Sequence, residues 1–357
     1  MRSARTAVTC TVLSAMSVLF ALAVRPTPLA AQAFFLTVPT ESQRASVVQT
    51  VGLTNISVTY DRPGVNGRKI WGALVPFDSV WRAGANVNTV IAFTSPVTIG
   101  GKQLPAGRYG LFMIPTPQQW TVILSREANA WGHFSYNEAE DVLRFSATPV
   151  VGPMTESLVY TFDDPKADAV TVTLRWEKLV LPFQLSVNST QVVMDSLQQQ
   201  LRNLAKFFPD AWRQSAAWAL QHNQLATASA WADTAVGLAA TYPNLMLKSR
   251  ILAREGNQAG ADSLRTRAFL VATEADFNVY GYQLLQQGKK DEALAVFIKN
   301  TKTYPQSWNT WDSLAECYGA MGNNKLAIAN YQKALAMVGD PGQKRRIEGA
   351  IAALQKT

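Results

Sequence analysis

The sequence has few of the side chains that most often bind metals or form disulfides. It contains two cysteines and two histidines in 357 residues. Cys10 lies in an N-terminal apolar stretch, so Cys317 would stand alone once that stretch is removed, and no intramolecular disulfide could form. His133 and His222 lie far apart in the chain, with no cysteine beside either. We therefore expect no metal and no cofactor.

Motifs of common catalytic chemistries are also missing. No Gly-x-Ser-x-Gly turn and no glycine-rich phosphate loop before a helix occurs. Glu140 and Asp141 are adjacent, so on a strand they would point to opposite faces and could not act as a pair. A non-enzymatic role is therefore favoured. The alternatives are a hydrolase acting on a carbohydrate or other envelope substrate, with Glu140, Asp141 or His133 as acid or base, and a purely structural envelope protein.

The first 33 residues have the features of an export signal. Arg2 and Arg5 precede an uncharged apolar stretch over residues 7–24, and a small-x-small cleavage signal ends at Ala33. We predict that residues 1–33 are a signal peptide and that the protein is exported, either periplasmic or secreted. An uncleaved membrane anchor is the alternative, because the stretch is nearly long enough to span a bilayer. No later segment is long and apolar enough, so we expect no membrane span after cleavage.

The excess of positive over negative charge is confined to one half of the predicted mature chain. Cleavage removes three arginines and lowers the formal net charge from +8 to +5. Residues 34–190 carry 12 basic and 12 acidic residues, whereas residues 191–357 carry 18 and 13. A surplus spread along helices is typical of a solvated surface, so we expect no nucleic-acid binding.

Residues 34–190 have the pattern of a β-sandwich domain. Short runs rich in Val, Thr, Ile, Tyr and Phe alternate with Gly, Pro, Asn and Asp, and no helical pattern separates them. Such runs favour an antiparallel sandwich. The nine predicted strands are residues 46–51, 56–60, 89–94, 97–99, 108–114, 120–124, 141–147, 157–162 and 170–176.

Beyond residue 190 the hydrophobic period becomes helical. We predict a linker helix over 191–209, helical repeats over 210–342 and a C-terminal cap helix over 343–357. Two segments align at a spacing of 34 residues and share large, small and turn positions, including Gly288 and Gly322. The matching sets are Phe277, Tyr280, Gly281, Leu284, Ala293, Phe297 and Asn300, and then Trp311, Leu314, Ala315, Tyr318, Ala327, Tyr331 and Ala334.

This pattern resembles the tetratricopeptide repeat, in which two antiparallel helices interlock through large residues and approach at small ones. Asn300 departs from the pattern, because a small residue is expected there. Two degenerate hairpins are predicted upstream, over 211–243 and 244–273. The predicted fold class is therefore α+β multidomain, an antiparallel β-sandwich of about nine strands followed by an α-helical tetratricopeptide-like solenoid. The resemblance implies a groove for an unknown protein partner, lined by Asn278, Tyr282, Asp312 and Glu316.

Two dense stretches in the β-rich half carry a second resemblance. One reads Arg-Pro-x-x-x-Gly-Arg-Lys-Ile-Trp over residues 62–71, and the other reads Val-Trp-Arg-x-Gly-Ala-Asn over residues 80–86. With further matches in the same order, residues 42–187 resemble the exported bacterial family called domain of unknown function 2911. That family implies no activity, so the chemistry must be inferred from the residues themselves.

The same stretches form a candidate ligand site. Four cations occur within 21 residues, interleaved with two tryptophans and several glycines. Arginine forks and aromatic rings together can hold an anion or a planar group. We predict a site formed by Arg62, Trp81, Arg82 and Asn86 for a small anionic or carbohydrate ligand. The alternative is structural, with Arg62 paired to Asp61 or Asp78 and the tryptophans covering the core. The favoured function is an exported binding or adaptor protein.

Overall fold

The computed structural model describes residues 39–356, so the predicted signal peptide and Cys10 lie outside the described residues. Within that range, ten strands precede ten α-helices, which confirms the predicted fold class. The strands are β1 Gln43–Val51, β2 Thr54–Arg62, β3 Thr89–Phe93, β4 Val97–Ile99, β5 Lys102–Leu104, β6 Gly107–Ile114, β7 Trp120–Ser125, β8 Asp141–Ala147, β9 Val150–Asp163 and β10 Ala169–Ser186. The helices are α1 Ser189–Gln200, α2 Pro209–Gln221, α3 Leu225–Leu238, α4 Tyr242–Arg254, α5 Gln258–Leu270, α6 Glu274–Gln286, α7 Lys290–Thr303, α8 Trp308–Ala320, α9 Asn324–Met337 and α10 Pro341–Leu354.

The strands form two antiparallel sheets around one core. The larger sheet has the order β1-β2-β3-β6-β7-β8, and the smaller has the order β5-β4-β10-β9. Alternate residues of each strand face inward, as in Ile56, Val58 and Tyr60 of β2, all of which are buried. They meet inward-facing residues of the other sheet, such as Val172 and Leu174 of β10, in a single hydrophobic cluster.

The smaller sheet is longer than the sequence pattern predicts. β9 begins at Val150 rather than 157, and β10 continues to Ser186 rather than ending at 176. The ladder between them shifts register around Glu177, whose backbone φ is 56°. Such a bulge breaks the strict alternation that marks a strand in a sequence, which is why the second half of β10 was not predicted. The additional strand, β5, pairs with β4 across a turn at Gly100 and Gly101.

Eight helices form four hairpins, α2 with α3, α4 with α5, α6 with α7, and α8 with α9. A residue with positive φ lies in the turn of each hairpin, and these residues are Asn223, Gly256, Gly288 and Gly322. A left-handed residue at this point ends the first helix and reverses the chain. The two degenerate hairpins therefore have the same turn as the two clear repeats.

Close contacts within the hairpins account for the small positions of the repeat. A Cβ on Gly281 would lie 2.6 Å from the Phe297 ring, so a larger residue could not fit without displacing it. Asn300, the departure from the pattern, is fully buried. Its Nδ2 donates to the Glu274 backbone oxygen at 3.2 Å, so the amide joins α7 to the start of α6.

Helix α1 contacts both halves of the protein. Val192 packs against the β core, and Met194 packs against the core of the first hairpin. The Ser189 hydroxyl donates to the Ala167 backbone oxygen at 3.0 Å, which attaches the start of the helix to the turn between β9 and β10. Across residues 39–356, none of the helices combines the length and apolar character needed to cross a bilayer.

Candidate functional site

The long segment between β2 and β3, residues 63–88, holds the two sequence signatures and has an unusual backbone. Asn66, Asp78, Ala83 and Asn86 all have positive φ, and they make up four of the seven such non-glycine residues in the described chain. For an alanine this conformation costs about 1–2 kcal/mol. Backbone strain of this kind persists only where surrounding contacts hold it, and it is concentrated at functional sites.

Several hydrogen bonds fix this strained backbone. The hydroxyls of Thr89 and Tyr160 both donate to the Ala83 backbone oxygen at 2.9 Å. The indole of Trp81 donates to the Gly84 oxygen at 3.1 Å. Gly84 itself must lack a side chain, because a Cβ would lie 2.7 Å from the Thr89 hydroxyl. The segment that presents Arg82 is therefore fixed in place.

Four tryptophans pack together beneath this segment. The Trp71 ring lies edge-on to Trp81, Trp120 and Trp176, with centroid distances of 5.7, 4.8 and 5.6 Å. Trp81 stacks on Trp176 at 6.0 Å with an interplanar angle of 19°. The tryptophans thus cover the sandwich core, as the structural alternative predicts. The indole nitrogens of Trp71 and Trp176 are nevertheless buried without a hydrogen-bond partner.

A cavity of about 470 Å³ lies above the tryptophan cluster, within the usual size range of small-molecule sites. Three of the four predicted ligand residues, Trp81, Arg82 and Asn86, line it. Arg62 does not, because its Nε donates to the Leu158 backbone oxygen at 3.0 Å, on the β9 side. The full lining is Glu41, Ser42, Pro63, Gly64, Asn66, Arg68, Leu74, Val75, Pro76, Ser79, Val80, Trp81, Arg82, Gly84, Ala85, Asn86, His133 and Trp176.

Arg82 is the most unusual charged group of the cavity. Within the described residues it makes no ion pair, and its Nε is buried without a hydrogen-bond partner. Burial lowers the pKa of Arg82, and the negative charge of Asp61 opposes that shift. Burial likewise raises the pKa of Asp61, whose Oδ2 also lacks a partner. The two charges therefore influence each other without direct contact, and the arginine keeps donors available.

Arg68 and Asn86 use part of their hydrogen-bonding capacity to shape the cavity wall. Arg68 Nη2 donates to the Gly64 oxygen at 2.6 Å, and its Nε donates to the Val65 oxygen at 3.1 Å. Asn86 Nδ2 donates to the Ser42 oxygen at 3.2 Å, which ties the start of β1 to the site. Neither Arg62 nor Arg68 pairs with a carboxylate in the described part of the chain, so the predicted pairing of Arg62 with Asp61 or Asp78 is wrong.

The loop that brings His133 to the cavity also carries two exposed aromatic residues, Trp131 and Phe134, which we call the aromatic rim and which the sequence analysis did not assign to the site. The side chains of Trp131 and Phe134 are 68% and 76% exposed, and their rings stack at 5.8 Å. His133 stacks on Phe134 at 5.0 Å and also lines the cavity. The sequence does not indicate that the rim lies near the cavity, because the rim is more than 40 residues beyond Arg82 in the chain.

The acidic residues considered for hydrolysis lie elsewhere or are already paired. Asp141 accepts from the Tyr136 hydroxyl at 2.7 Å and from Arg144 Nε at 2.6 Å. Glu140 faces solvent, with Arg126 at 4.0 Å. Neither lines the cavity, and only His133 of the three candidates does. The carboxylate that does line it is Glu41, at the start of the sandwich.

In the helical half, three of the four predicted groove residues belong to an internal network. The Tyr282 hydroxyl donates to Glu316 and lies 3.2 Å from the Ser313 hydroxyl. Arg346 of α10 contacts Asp312 at 2.6 Å and Glu316 at 3.4 Å. Asp312 is only 4% exposed as a result. The C-terminal helix therefore covers the face that was predicted to bind a partner, while Asn278 lies nearer an adjacent depression.

A different groove is open on the first helices of the earlier hairpins. Helices α2, α4 and α6 line a depression of about 490 Å³. Arg250 is exposed there and makes no ion pair or hydrogen bond within the described residues, whereas Arg213 contacts Asp210 at 3.0 Å. The lining is Arg213, Ala217, Tyr242, Pro243, Met246, Leu247, Arg250, Asp276, Val279, Tyr280, Gln283 and Gln287. The sequence pattern did not predict this groove, because two of its three hairpins are degenerate.

Comparison with known families confirms the resemblance of the β-rich half. Residues 42–185 match the model of the family described as Protein of unknown function (DUF2911). A search of curated proteins gives no match. The match spans both signatures, strands β1 to β9 and all of β10 except Ser186, and it contains the segment between β2 and β3 that forms the cavity.

Solved structures of tetratricopeptide-repeat proteins resemble the chain weakly. The C-terminal part of a TPR repeat-containing protein from Cytophaga hutchinsonii is 14% identical, with 47% of this chain and 67% of that chain covered and a TM-score of 0.32. pilF of Pseudomonas aeruginosa is 18% identical, with 41% of this chain and 67% of that chain covered and a TM-score of 0.27. A thermophilic TPR protein of Thermus thermophilus is 19% identical, with 47% of this chain and 92% of that chain covered and a TM-score of 0.28. TM-scores this low support no comparison of individual sites.

Replacement of Arg346 by Gln is expected to destabilise the helical half by about 1–3 kcal/mol, because it leaves the buried Asp312 carboxylate without its cation. Burial raises the pKa of Asp312, and Arg346 opposes that rise. When folding raises the pKa of an acid, the protein loses stability as the pH increases above the ordinary pKa of that acid. The deficit of the variant should therefore be larger at pH 7 than at pH 4.

Urea unfolding followed by the helical circular dichroism signal measures this effect. Arg345→Gln is the matched control, since Arg345 is exposed on the same helix and makes no ion pair or side-chain hydrogen bond within the described residues. The double variant Arg346→Gln/Asp312→Asn should recover part of the loss. Equal stability of the two single variants at pH 7 would contradict the internal role assigned to Arg346.

Proposed function

We propose that this protein is an exported binding protein whose β-domain holds a small ligand in the cavity above the tryptophan cluster. The observation that carries the proposal is Arg82, a half-buried cation with an unpartnered Nε on the cavity wall. A buried charged donor without a partner costs stability, so its retention beside a cavity favours a ligand that completes its hydrogen bonds. The strained backbone at Ala83 and Asn86 supports the same conclusion.

The hydrolase alternative receives less support. The cavity brings together His133 and Glu41, but the carboxylates that the sequence offered for acid–base chemistry lie outside it. A binding role requires only the cation, the amides and the aromatic surfaces that the cavity already holds. We therefore favour recognition without chemistry.

Helical hairpins of the tetratricopeptide type indicate a role in protein interaction. The specific surface we propose is the groove on α2, α4 and α6, because α10 covers the face farther along. Its unpaired Arg250 and neighbouring tyrosines suit an extended acidic segment of a partner. The protein would then act as an adaptor, joining a ligand of the envelope to a protein partner.

The cavity is tested by thermal unfolding of the exported protein with a panel of neutral sugars, sugar acids, dicarboxylates and phosphate. At a ligand concentration of 100 times Kd, binding adds about 2.7 kcal/mol and should raise Tm by roughly 5–10 °C. We expect an anionic compound to stabilise the wild type and Arg126→Gln, but not Arg82→Gln. Arg126 is the matched control because it is an exposed arginine of the same domain. No stabilisation by any compound would contradict the proposal.

The groove is tested by selecting binders from a random peptide display library. Acidic peptides should be enriched on the wild type, and fluorescence anisotropy should show at least fivefold weaker binding to Arg250→Gln, with affinity that falls as salt increases. Arg265→Gln is the control, because Arg265 lies on α5, outside the groove, and pairs with Asp262 at 2.7 Å. Peptides that bind both variants alike would place the interaction elsewhere.

Export is tested by N-terminal sequencing of the protein recovered from the producing cells. Cleavage after Ala33 predicts Phe34 as the first residue. A chain that still begins at Met1 and fractionates with membranes would instead support the uncleaved anchor.

A further inference from the structure

The exposed aromatic rim is the feature of the β-domain that an anion site alone does not explain. Trp131 and Phe134 leave 68% and 76% of their surface in contact with solvent, although covering a large apolar side chain is worth about 1.5–3 kcal/mol. Their rings lie nearly parallel, with an interplanar angle of 18°. Large exposed rings beside a concave site mark a surface that is covered when a ligand binds.

The rim is held in position by the segment that forms the cavity wall. Gly132 N–H donates to the Asn86 oxygen at 3.0 Å, and Asn88 N–H donates to the Ala130 oxygen at 2.9 Å. Val87 and Trp131 face each other across an isolated antiparallel bridge. The backbone that carries the aromatic rings is therefore tied to the segment that carries Arg82, and His133 of the same loop lies on the cavity wall.

The remaining polar groups of the cavity are mostly uncharged. Ser42, Asn66, Ser79 and Asn86 contribute hydroxyls and amides, which can both donate and accept hydrogen bonds. Such groups suit a ligand with several hydroxyls. The flat, apolar ring faces outside suit the C–H face of a pyranose ring, which can lie against them and displace water.

The charges of the cavity favour one negative charge on the ligand. Arg68 and Arg82 line it together with Glu41, so one positive charge remains in excess. Asp61 lies close enough to oppose the burial-induced fall in the pKa of Arg82, which adds further negative potential. This negative potential opposes a doubly charged phosphate more strongly than a singly charged carboxylate, and a carboxylate also matches the arginine fork.

We propose that the ligand is a saccharide that bears a carboxylate. The carboxylate binds Arg82, and a sugar ring covers Trp131 and Phe134. This inference rests on the binding function proposed for the same cavity, and it names the chemical class of the ligand.

The test is calorimetric titration of the exported protein with four probes: glucuronic acid, its methyl ester, glucose and inorganic phosphate. The ester keeps the shape of the acid and removes its charge, and glucose replaces the carboxylate by a hydroxymethyl group. We expect glucuronic acid to bind at least tenfold more tightly than the ester, glucose or phosphate. Disaccharides that end in glucuronic acid should bind more tightly still, because a second ring adds contacts with the exposed aromatic surface.

Two variants separate the two contacts. Arg82→Gln should reduce the affinity for glucuronic acid to that of the ester, and Trp131→Ala should weaken the acid and the ester by a similar factor. Phe207→Ala is the control for loss of an exposed aromatic ring, since Phe207 is 64% exposed and lies in the helical half. Unchanged Tm values for unliganded Trp131→Ala and Phe207→Ala would show that both variants fold.

The possible outcomes distinguish an error in the ligand class from an error in the proposed binding function. If glucose binds as tightly as glucuronic acid, or if Trp131→Ala binds as the wild type does, the acidic saccharide is wrong while a binding site remains. If phosphate alone binds and depends on Arg82, the site recognises a phosphate group instead, and the inference is also wrong. If none of the probes and no compound of the wider panel binds, both the inference and the proposed binding function are wrong.

Discussion

The packing of four tryptophans at one end of the sandwich is the constraint on which the candidate site depends. Trp71 and Trp81 come from the segment between β2 and β3, whereas Trp120 and Trp176 come from strands of opposite sheets. Their contacts hold that segment against the core, and hydrogen bonds then hold Ala83 in its strained conformation. Arg82, on the outer side of this support, can remain without a partner because its backbone is fixed. The cavity is therefore a consequence of how the loop is packed.

Much of the architecture could be predicted because its periods are local. The alternation in β2 and the 34-residue spacing of the two clear repeats each follow from neighbouring contacts along the chain. The second half of β10 escaped prediction because a bulge at Glu177 breaks the alternation. The two degenerate hairpins each retain the left-handed turn residue, although the rest of their pattern is weak.

The candidate site was predictable only in part, because its members meet through tertiary contacts. Trp81, Arg82 and Asn86 lie within one short segment, and they do line one cavity. Arg62 lies at the end of β2 and bonds to the β9 side, which no spacing in the sequence indicates. Trp131 reaches the rim through a bridge to Val87. Similarly, the covering of Asp312 depends on a helix that begins 29 residues later in the chain, at Pro341.

The hydrogen-bond and ion-pair network at the end of the array also limits how the array could be lengthened by duplication of a repeat. Asn278, Asp312 and Arg346 occupy the same position in three successive 34-residue units, and the last two are in contact. Copying the last unit after α9 would place a second aspartate where Arg346 now lies, and two carboxylates would face each other with little water. Lengthening by duplication at this end is therefore electrostatically unfavourable unless the new unit also changes that residue.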